Sequence, residues 1–144
     1  MAQTLKACMT RVFSAVDVKG DALKDELERV RDILDLGFRP VSKHRMHVTL
    51  QFFRNMDDEQ IDRLKNAVSS INMSPFTTEV QGVGAFPSRE RIRVAWAGFS
   101  DETEMRRLYH QASQHDVEDD NDHSFKPHIS MLRVKQANRE QDRK

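Results

Sequence analysis

The chain has 144 residues, of which 38% are hydrophobic and 32% are charged, a size that suits one well-buried core and is short for two independent ones. This composition excludes a disordered or fibrous chain, and no apolar stretch is long enough to cross a bilayer. The formal net charge is zero, so no global field draws the protein to nucleic acid. We therefore expect one soluble domain over residues 1–135 and a polar tail over 136–144 that frays.

The start of the chain and its cysteine content favour the cytoplasm. The opening MAQTLKACMTRVF lacks the apolar run of a secretory signal. Cys8 is the single cysteine and cannot form an internal disulfide, which agrees with a reducing compartment. We expect a cytoplasmic protein without membrane contact.

The first half of the chain predicts a strand, a helix and a second strand. Residues 5–17 alternate loosely and favour a strand, with core positions at Val12, Phe13 and Val16. From Asp21 to Leu36 the apolar residues recur at steps of three and four and a glycine follows, which predicts a helix. The next strand is expected over residues 45–53.

The second half predicts two helices, a hairpin and a last strand. A helix should begin near Asp57 or Asp58, and a third should begin at Asp101 with Glu104 in a capping-box-like position. Between them, residues 76–83 and 91–99 read as two strands joined by the loop GAFPSRE. This mixed order favours an α+β fold over a doubly wound sheet.

Two stretches, MHVTLQFF at 46–53 and PHISMLRV at 127–134, repeat the pattern histidine, apolar, hydroxyl, apolar. In a strand, alternate side chains share a face, so His47 and Thr49 point one way, as do His128 and Ser130. If the two strands lie side by side or across a cleft, two imidazoles and two hydroxyls converge. Such a constellation suits a phosphate group.

Three interpretations of the paired motifs stay open on the residues alone. Two histidines near neutral pH can serve as the acid and the base of phosphodiester cleavage, with hydroxyls and a guanidinium stabilising the phosphoryl oxygens. Two half-buried histidines paired with hydroxyls for structural reasons are the second interpretation. A metal site is the third, but His44 and His47 are three apart and would face opposite sides of a strand.

The paired motifs, whose histidines are 81 positions apart (128 − 47), resemble those of the two-histidine phosphoesterase superfamily. Within it, the chain resembles the RNA 2′,3′-cyclic phosphodiesterases, historically called 2′-5′ RNA ligases. The similarity includes RVFSAVDV near the start and, between the motifs, GAFPS followed by a strand of the type RVAWAG. The resemblance implies a bilobal α+β fold with two antiparallel-rich sheets flanking a central cleft and helices on the outside.

The resemblance also implies roles for the motif residues. His47 would be the general acid that protonates the leaving 3′ oxygen, and His128 the base that activates water, giving a 2′-phosphate. Thr49 and Ser130 would bind phosphate oxygens. Arg133 occupies a position where the family often has an arginine near the phosphate, but strict alternation turns it away from His128. That role requires the strand to end or bulge.

Further substrate contacts are predicted around the motifs. An aromatic side chain should stack on the base, and Phe53 has the parity of His47 while Phe86 lies on the predicted loop. Basic contacts are predicted at Arg54, which replaces a glycine of the family, and at Lys126. Trp96 is assigned to the core. No metal and no cofactor are expected.

The sequence therefore predicts a metal-independent RNA 2′,3′-cyclic phosphodiesterase with weak reverse 2′-5′ ligation. Its partner would be RNA with a 2′,3′-cyclic phosphate end or a small cyclic nucleotide, and the protein would be a monomer. The alternative from another class is a non-catalytic module that binds RNA ends or nucleotides in the same cleft.

Overall fold

A computed structural model describes residues 9–34, 37–88, 90–120 and 124–134. The elements in chain order are β1 (Thr10–Asp17), α1 (Asp21–Leu34), β2 (Arg39–Pro40), a 3-10 helix (Lys43–Arg45), β3 (His47–Met56), α2 (Asp58–Ser69), β4 (Val80–Pro87), β5 (Ile92–Phe99), α3 (Thr103–Ala112) and β6 (Ile129–Arg133). Helices mixed with antiparallel strands confirm the predicted α+β class. Cys8 and the predicted tail over 136–144 lie outside the described residues.

The strands form a six-stranded sheet in the order β1–β3–β6–β5–β4, and β2 also pairs with β6. The prediction of two sheets differs from this topology, because β6 pairs antiparallel with β3 and with β5 and so links the strands that carry the two motifs to the hairpin. The central cleft stays a prediction.

The chain divides into two compact units, each assembled from separated segments. The described residues of the first unit fall within 1–15, 49–77 and 102–127, and those of the second fall within 16–48, 78–101 and 128–144. His47 and His128 thus belong to the same unit, although they are far apart in sequence. The single bilobal domain predicted over 1–135 stays a prediction.

The first unit packs the end of β3 against α2. Phe53, Met56 and Leu64 form a buried cluster with Val12 and Ile61 against it. Asp57 is the N-cap of α2 and forms a reciprocal capping box with Gln60, which selects Asp57 from the two predicted caps. No helix in the described part of the chain is both long and apolar enough to cross a membrane.

The sequence predicted Phe13 to be a core residue, and this prediction is wrong. The side chain of Phe13 is 51% exposed, whereas Ser14 and Val18 on the alternate positions are buried. Because side chains of a strand alternate between two faces, the even-numbered residues of β1 carry the buried face and Phe13 lies on the other.

The second unit buries one face of its strands under α1. Leu27 is the buried residue of α1, and α1 packs on β6. The buried strand residues on this side are Val48, Ala95, Ala97, Ile129 and Leu132. The opposite face is therefore the one left for polar and aromatic side chains.

Two local predictions are corrected. β4 extends to Pro87, so Phe86 lies on a strand opposite Val94 and not on a loop. The predicted cap of α3 is also wrong, because the helix begins at Thr103 and its N-cap, Glu102, makes no side-chain cap bond. The Glu102 carboxylate instead accepts hydrogen bonds from Lys126 and Arg106.

Candidate active site

The pairing of β3 with β6 brings the two motifs together. Val48 pairs with Ile129, and these side chains are only 2% and 1% exposed. His47 precedes Val48, and His128 and Ser130 flank Ile129, so alternation turns all three to the opposite face. All three are half-buried there. The register thus places both histidines and one hydroxyl on a single face of the second unit.

The ring of His47 is oriented by the backbone just before it. Its Nδ1 donates a hydrogen bond of 2.6 Å to the carbonyl oxygen of Arg45, the last residue of the 3-10 helix. A carbonyl can only accept, so Nδ1 carries a proton in both charge states of the ring. Any proton that His47 gives or takes is therefore exchanged at Nε2.

His128 directly precedes β6 and lies against two aromatic rings. The ring of Phe86 is perpendicular to that of His128 at 4.9 Å between centroids, and the ring of Trp96 is tilted against it at 5.7 Å. The two aromatic rings also contact each other, at 5.1 Å. Phe86 therefore contacts the ring of His128, and its role as a substrate contact stays a prediction. Trp96, assigned to the core, is half-buried on the face of His128, which corrects that prediction.

A glycine makes room for Trp96. Gly84 of β4 pairs with Trp96 of β5, and a Cβ at Gly84 would lie 2.2 Å from Cζ2 of the indole. The indole consequently lies across β4 at a place where no other residue type fits without displacing it. GAFPS and RVAWAG lie on the two strands of one hairpin, so the sequence contains both residues of this contact. Only the register of the two strands shows that Gly84 lies opposite Trp96.

A bulge in β6 turns Arg133 to the face of the histidines. The register with β5 passes from Ala95–Leu132 to Trp96–Ser130, so Met131 is an extra residue of β6. Beyond the bulge, Arg133 pairs with Val94, which shares a face with Trp96 because the two are two residues apart. The bulge that a phosphate-binding role of Arg133 requires is thus present in β6.

The guanidinium of Arg133 is a cation with little local compensation. Burial lowers the pKa of Arg133 from its ordinary value, because loss of solvent disfavours the charged form. Arginine nevertheless stays charged at neutral pH, because its ordinary pKa lies far above neutrality. None of the ion pairs among the described residues includes Arg133. Such a group is suited to bind an anion.

Four predicted site residues belong to the first unit. Thr49 is half-buried in β3 with the parity of His47. Phe53 is 1% exposed in the core, which corrects its assignment as a substrate contact: α2 covers this end of β3. Lys126, predicted as a basic substrate contact, donates a 2.5 Å hydrogen bond to the carboxylate of Glu102. Its positive charge is therefore compensated within the protein. Arg54 is exposed, and its backbone N–H donates to Asp120.

Within the described residues, no group of three or more histidine, cysteine, aspartate or glutamate side chains is arranged to hold a metal ion. The arrangement consists of two imidazoles, a hydroxyl and a guanidinium on one face. These groups can transfer protons and can donate hydrogen bonds to an anion.

Comparisons with known proteins point to one family. The sequence profile of the LigT-like phosphoesterases matches residues 18–96, which contain the first motif, β4 and the first part of β5. An RNA 2′,3′-cyclic phosphodiesterase of Archaeoglobus fulgidus is 32% identical over 136 residues, covering 90% of this chain and 76% of the relative. The chain belongs to the LigT-like phosphoesterase family.

Solved structures show the same fold. A protein of Thermus thermophilus superposes with a TM-score of 0.71 at 24% identity, covering 87% of this chain and 74% of the other. Escherichia coli LigT complexed with 3′-AMP gives 0.69 at 22% identity, covering 89% and 75%. The predicted membership of the two-histidine phosphoesterases is confirmed, and this LigT-like phosphoesterase is an enzyme of a phosphodiesterase family.

Proposed function

We propose that this LigT-like phosphoesterase is a metal-independent RNA 2′,3′-cyclic phosphodiesterase that opens cyclic ends to 2′-phosphates. The observation that carries the proposal is the placement of His47, His128 and Ser130 around the single pair Val48–Ile129, on one face. Curated relatives that share about a third of its residues bear the name of this activity, which supports the choice of substrate.

The chemical step needs one base and one acid. His128 takes a proton from water while the water oxygen forms a bond to phosphorus. The bond from phosphorus to the 3′ oxygen breaks, and His47 donates the proton of Nε2 to that oxygen. The products are a 2′-phosphate and a free 3′ hydroxyl. His128 is left protonated and His47 neutral, and proton exchange with solvent restores both.

The phosphate oxygens need donors because they gain negative charge as the water adds. Ser130 and Thr49 supply hydroxyl donors, and Arg133 supplies a charged fork of N–H groups. The bulge at Met131 supports this role for Arg133, since it brings the guanidinium to the face that carries Ser130.

The proposal includes the reverse reaction and the setting of the enzyme. The same acid and base can run 2′-5′ ligation, which we expect to be the minor activity. RNA ends and small 2′,3′-cyclic nucleotides are the proposed substrates, and the complex of a solved structural neighbour with 3′-AMP agrees with a nucleotide site. We also propose that the protein is a cytoplasmic monomer. Its single cysteine is consistent with the cytoplasm, where disulfides are rare.

Substitution of each histidine tests the roles. His47→Ala and His128→Ala should each lower kcat on a cyclic-ended dinucleotide by about 10²- to 10⁴-fold, the usual contribution of a proton-transfer group. Binding of 3′-AMP should persist, and the melting curves should stay close to that of the native protein. His110→Ala, an exposed histidine of α3, is the matched control and should keep full activity.

Undiminished kcat in either His47→Ala or His128→Ala would contradict the acid and base roles. Binding of the dinucleotide by the native protein with no product at long times would instead favour a non-catalytic binding module.

A further inference from the structure

Two arginines lie directly opposite each other on the neighbouring strands β2 and β6, and neither forms an ion pair with a carboxylate among the described residues. In the antiparallel pair of β2 and β6, Arg39 is directly opposite Arg133. Directly opposite side chains share a face, and like charges in that position destabilise a sheet. An anion bound between the two guanidinium groups would remove this repulsion.

Three acidic side chains of α1 pair with cations other than Arg39 and Arg133. On α1, Asp25 pairs with Lys43, while Glu28 and Asp32 pair with Arg31. Among the described residues, no ion pair or side-chain hydrogen bond involves Arg39. The positive charge of the pair Arg39–Arg133 is thus left uncompensated within the part of the chain that the structure describes.

The arginine pair continues the face of the histidines. Arg133 shares that face through Val94 and Trp96, and Arg39 shares the face of Arg133 because it is paired with it. Along β6, Ser130 and Arg133 are three residues apart with a bulge between them. At about 3.3 Å of rise per extended residue, the backbone positions of Ser130 and Arg133 are roughly 7–10 Å apart along the strand. That distance is comparable to the separation of the 3′ and 5′ phosphates of one nucleotide.

We propose that Arg39, together with Arg133, binds a second phosphate group: the 5′ phosphate of the nucleotide whose cyclic phosphate reacts. The inference rests on the proposed function, since it takes the reacting phosphate to lie beside His47, His128 and Ser130. Arg133 is three residues from Ser130 along β6 and directly opposite Arg39. In this proposal Arg133 contacts either phosphate, whereas Arg39 contacts the outer one. The preferred substrate then carries a phosphate on both sides of its terminal ribose, as the end of an RNA chain does.

Binding of two non-reacting nucleotides tests this site without requiring turnover. Calorimetry should show that adenosine 3′,5′-bisphosphate binds the native protein roughly tenfold more tightly than adenosine 3′-monophosphate, as expected for a charged hydrogen-bonded contact. Arg39→Gln should abolish most of this preference and leave the Kd of the monophosphate within about twofold, because Arg39 does not contact the reacting phosphate. Arg39→Lys should retain part of the preference, since it keeps the charge without the fork.

Arg107→Gln is the matched control, because it removes one exposed positive charge from α3 and should leave the preference intact. Equal affinity of the native protein for both nucleotides would overturn the proposal. Equal weakening of both by Arg39→Gln, or equal loss of the preference in Arg39→Gln and Arg107→Gln, would also overturn it.

Kinetics separate this inference from the proposed function. Adenosine 2′,3′-cyclic phosphate with a 5′-phosphate should show a higher kcat/KM than the same compound without it, and Arg39→Gln should remove the difference. A retained bisphosphate preference in a protein that opens neither cyclic compound would support the second phosphate site while contradicting the proposed activity.

Discussion

The orientation of His128 depends on a residue that has no side chain. Gly84 leaves the space in which the indole of Trp96 lies, and Trp96 and Phe86 in turn contact the imidazole of His128. Side chains locked by packing hold a reacting group near its productive geometry, and small displacements are costly in rate. The alignment of the proposed base is thus set from the hairpin, where Gly84 lies on β4, two strands away from β6.

Gly84→Ala should therefore lower kcat while changing KM little. The added Cβ would lie well inside contact distance of the Trp96 ring and displace it, and we expect a loss of about ten- to a hundredfold in kcat. In a Trp96→Leu background, Gly84→Ala should have almost no further effect, because the two residues act through one contact. Steady-state kinetics of the four proteins measure this.

Val83→Ala, at the exposed neighbouring position of β4, is the control and should behave like the native protein. Additive effects of Gly84→Ala and Trp96→Leu would show that the glycine acts by another route.

Residue-scale features were predictable from sequence where a strand alternates regularly. The shared faces of His47 with Thr49 and of His128 with Ser130 were predictable because alternate residues of a strand share a face and the intervening Val48 and Ile129 are apolar. Both intervening side chains are buried in the structure. Phe53 has the parity of His47, but α2 covers that end of β3. Parity alone does not show how far along a strand the exposed face extends.

At the scale of elements, long-range contacts override local signals. Glu102 stands at the N-cap of α3, a position where a short polar side chain such as Asp or Ser would ordinarily cap the helix. It bonds instead to Lys126, 24 residues further along the chain, and to Arg106. The bulge at Met131 is equally invisible in sequence, since it appears only when β6 is registered against β5. The helices, the cap of α2 and most strands were predictable, while the cap of α3 and the register were not.

Glu102 should stabilise the fold in a pH-dependent way. Burial raises the pKa of Glu102, but the hydrogen bonds from Lys126 and Arg106 lower it by a larger amount. The pKa in the folded protein therefore lies below the ordinary 4.5. The stabilisation is therefore present above the unfolded pKa and is lost as the pH falls through the folded one. Glu102→Gln should cost about 1 kcal/mol at neutral pH, a modest value because both cations are partly exposed.

Urea denaturation of Glu102→Gln and native protein measures this difference, which should shrink when the pH is lowered to about 3. Glu104→Gln, on the same helix, removes a carboxylate whose ion pair within the described residues is with the exposed Arg107, and it should have a smaller effect. A difference that persists undiminished in acid would contradict the ion-pair explanation.

At the scale of the whole molecule, residues that are far apart in the sequence belong to one compact unit. The second unit draws residues from three segments, and it is this arrangement that unites the two histidines with Phe86, Trp96 and Arg133. The α+β class and the family were accessible from element order and paired motifs. The division into units and the single linked sheet were not, because they depend on pairings between distant segments.

The measurement that tests the central claim most directly is phosphorus NMR of a dinucleotide ending in a 2′,3′-cyclic phosphate, incubated with the protein and excess EDTA. The roles assigned to His47 and His128 predict that the cyclic signal is replaced by that of a 2′-monoester. A 3′-monoester would contradict the direction of opening, and turnover that stops with EDTA would contradict independence from metal. A cyclic signal that stays unchanged with and without EDTA would contradict the proposed activity itself.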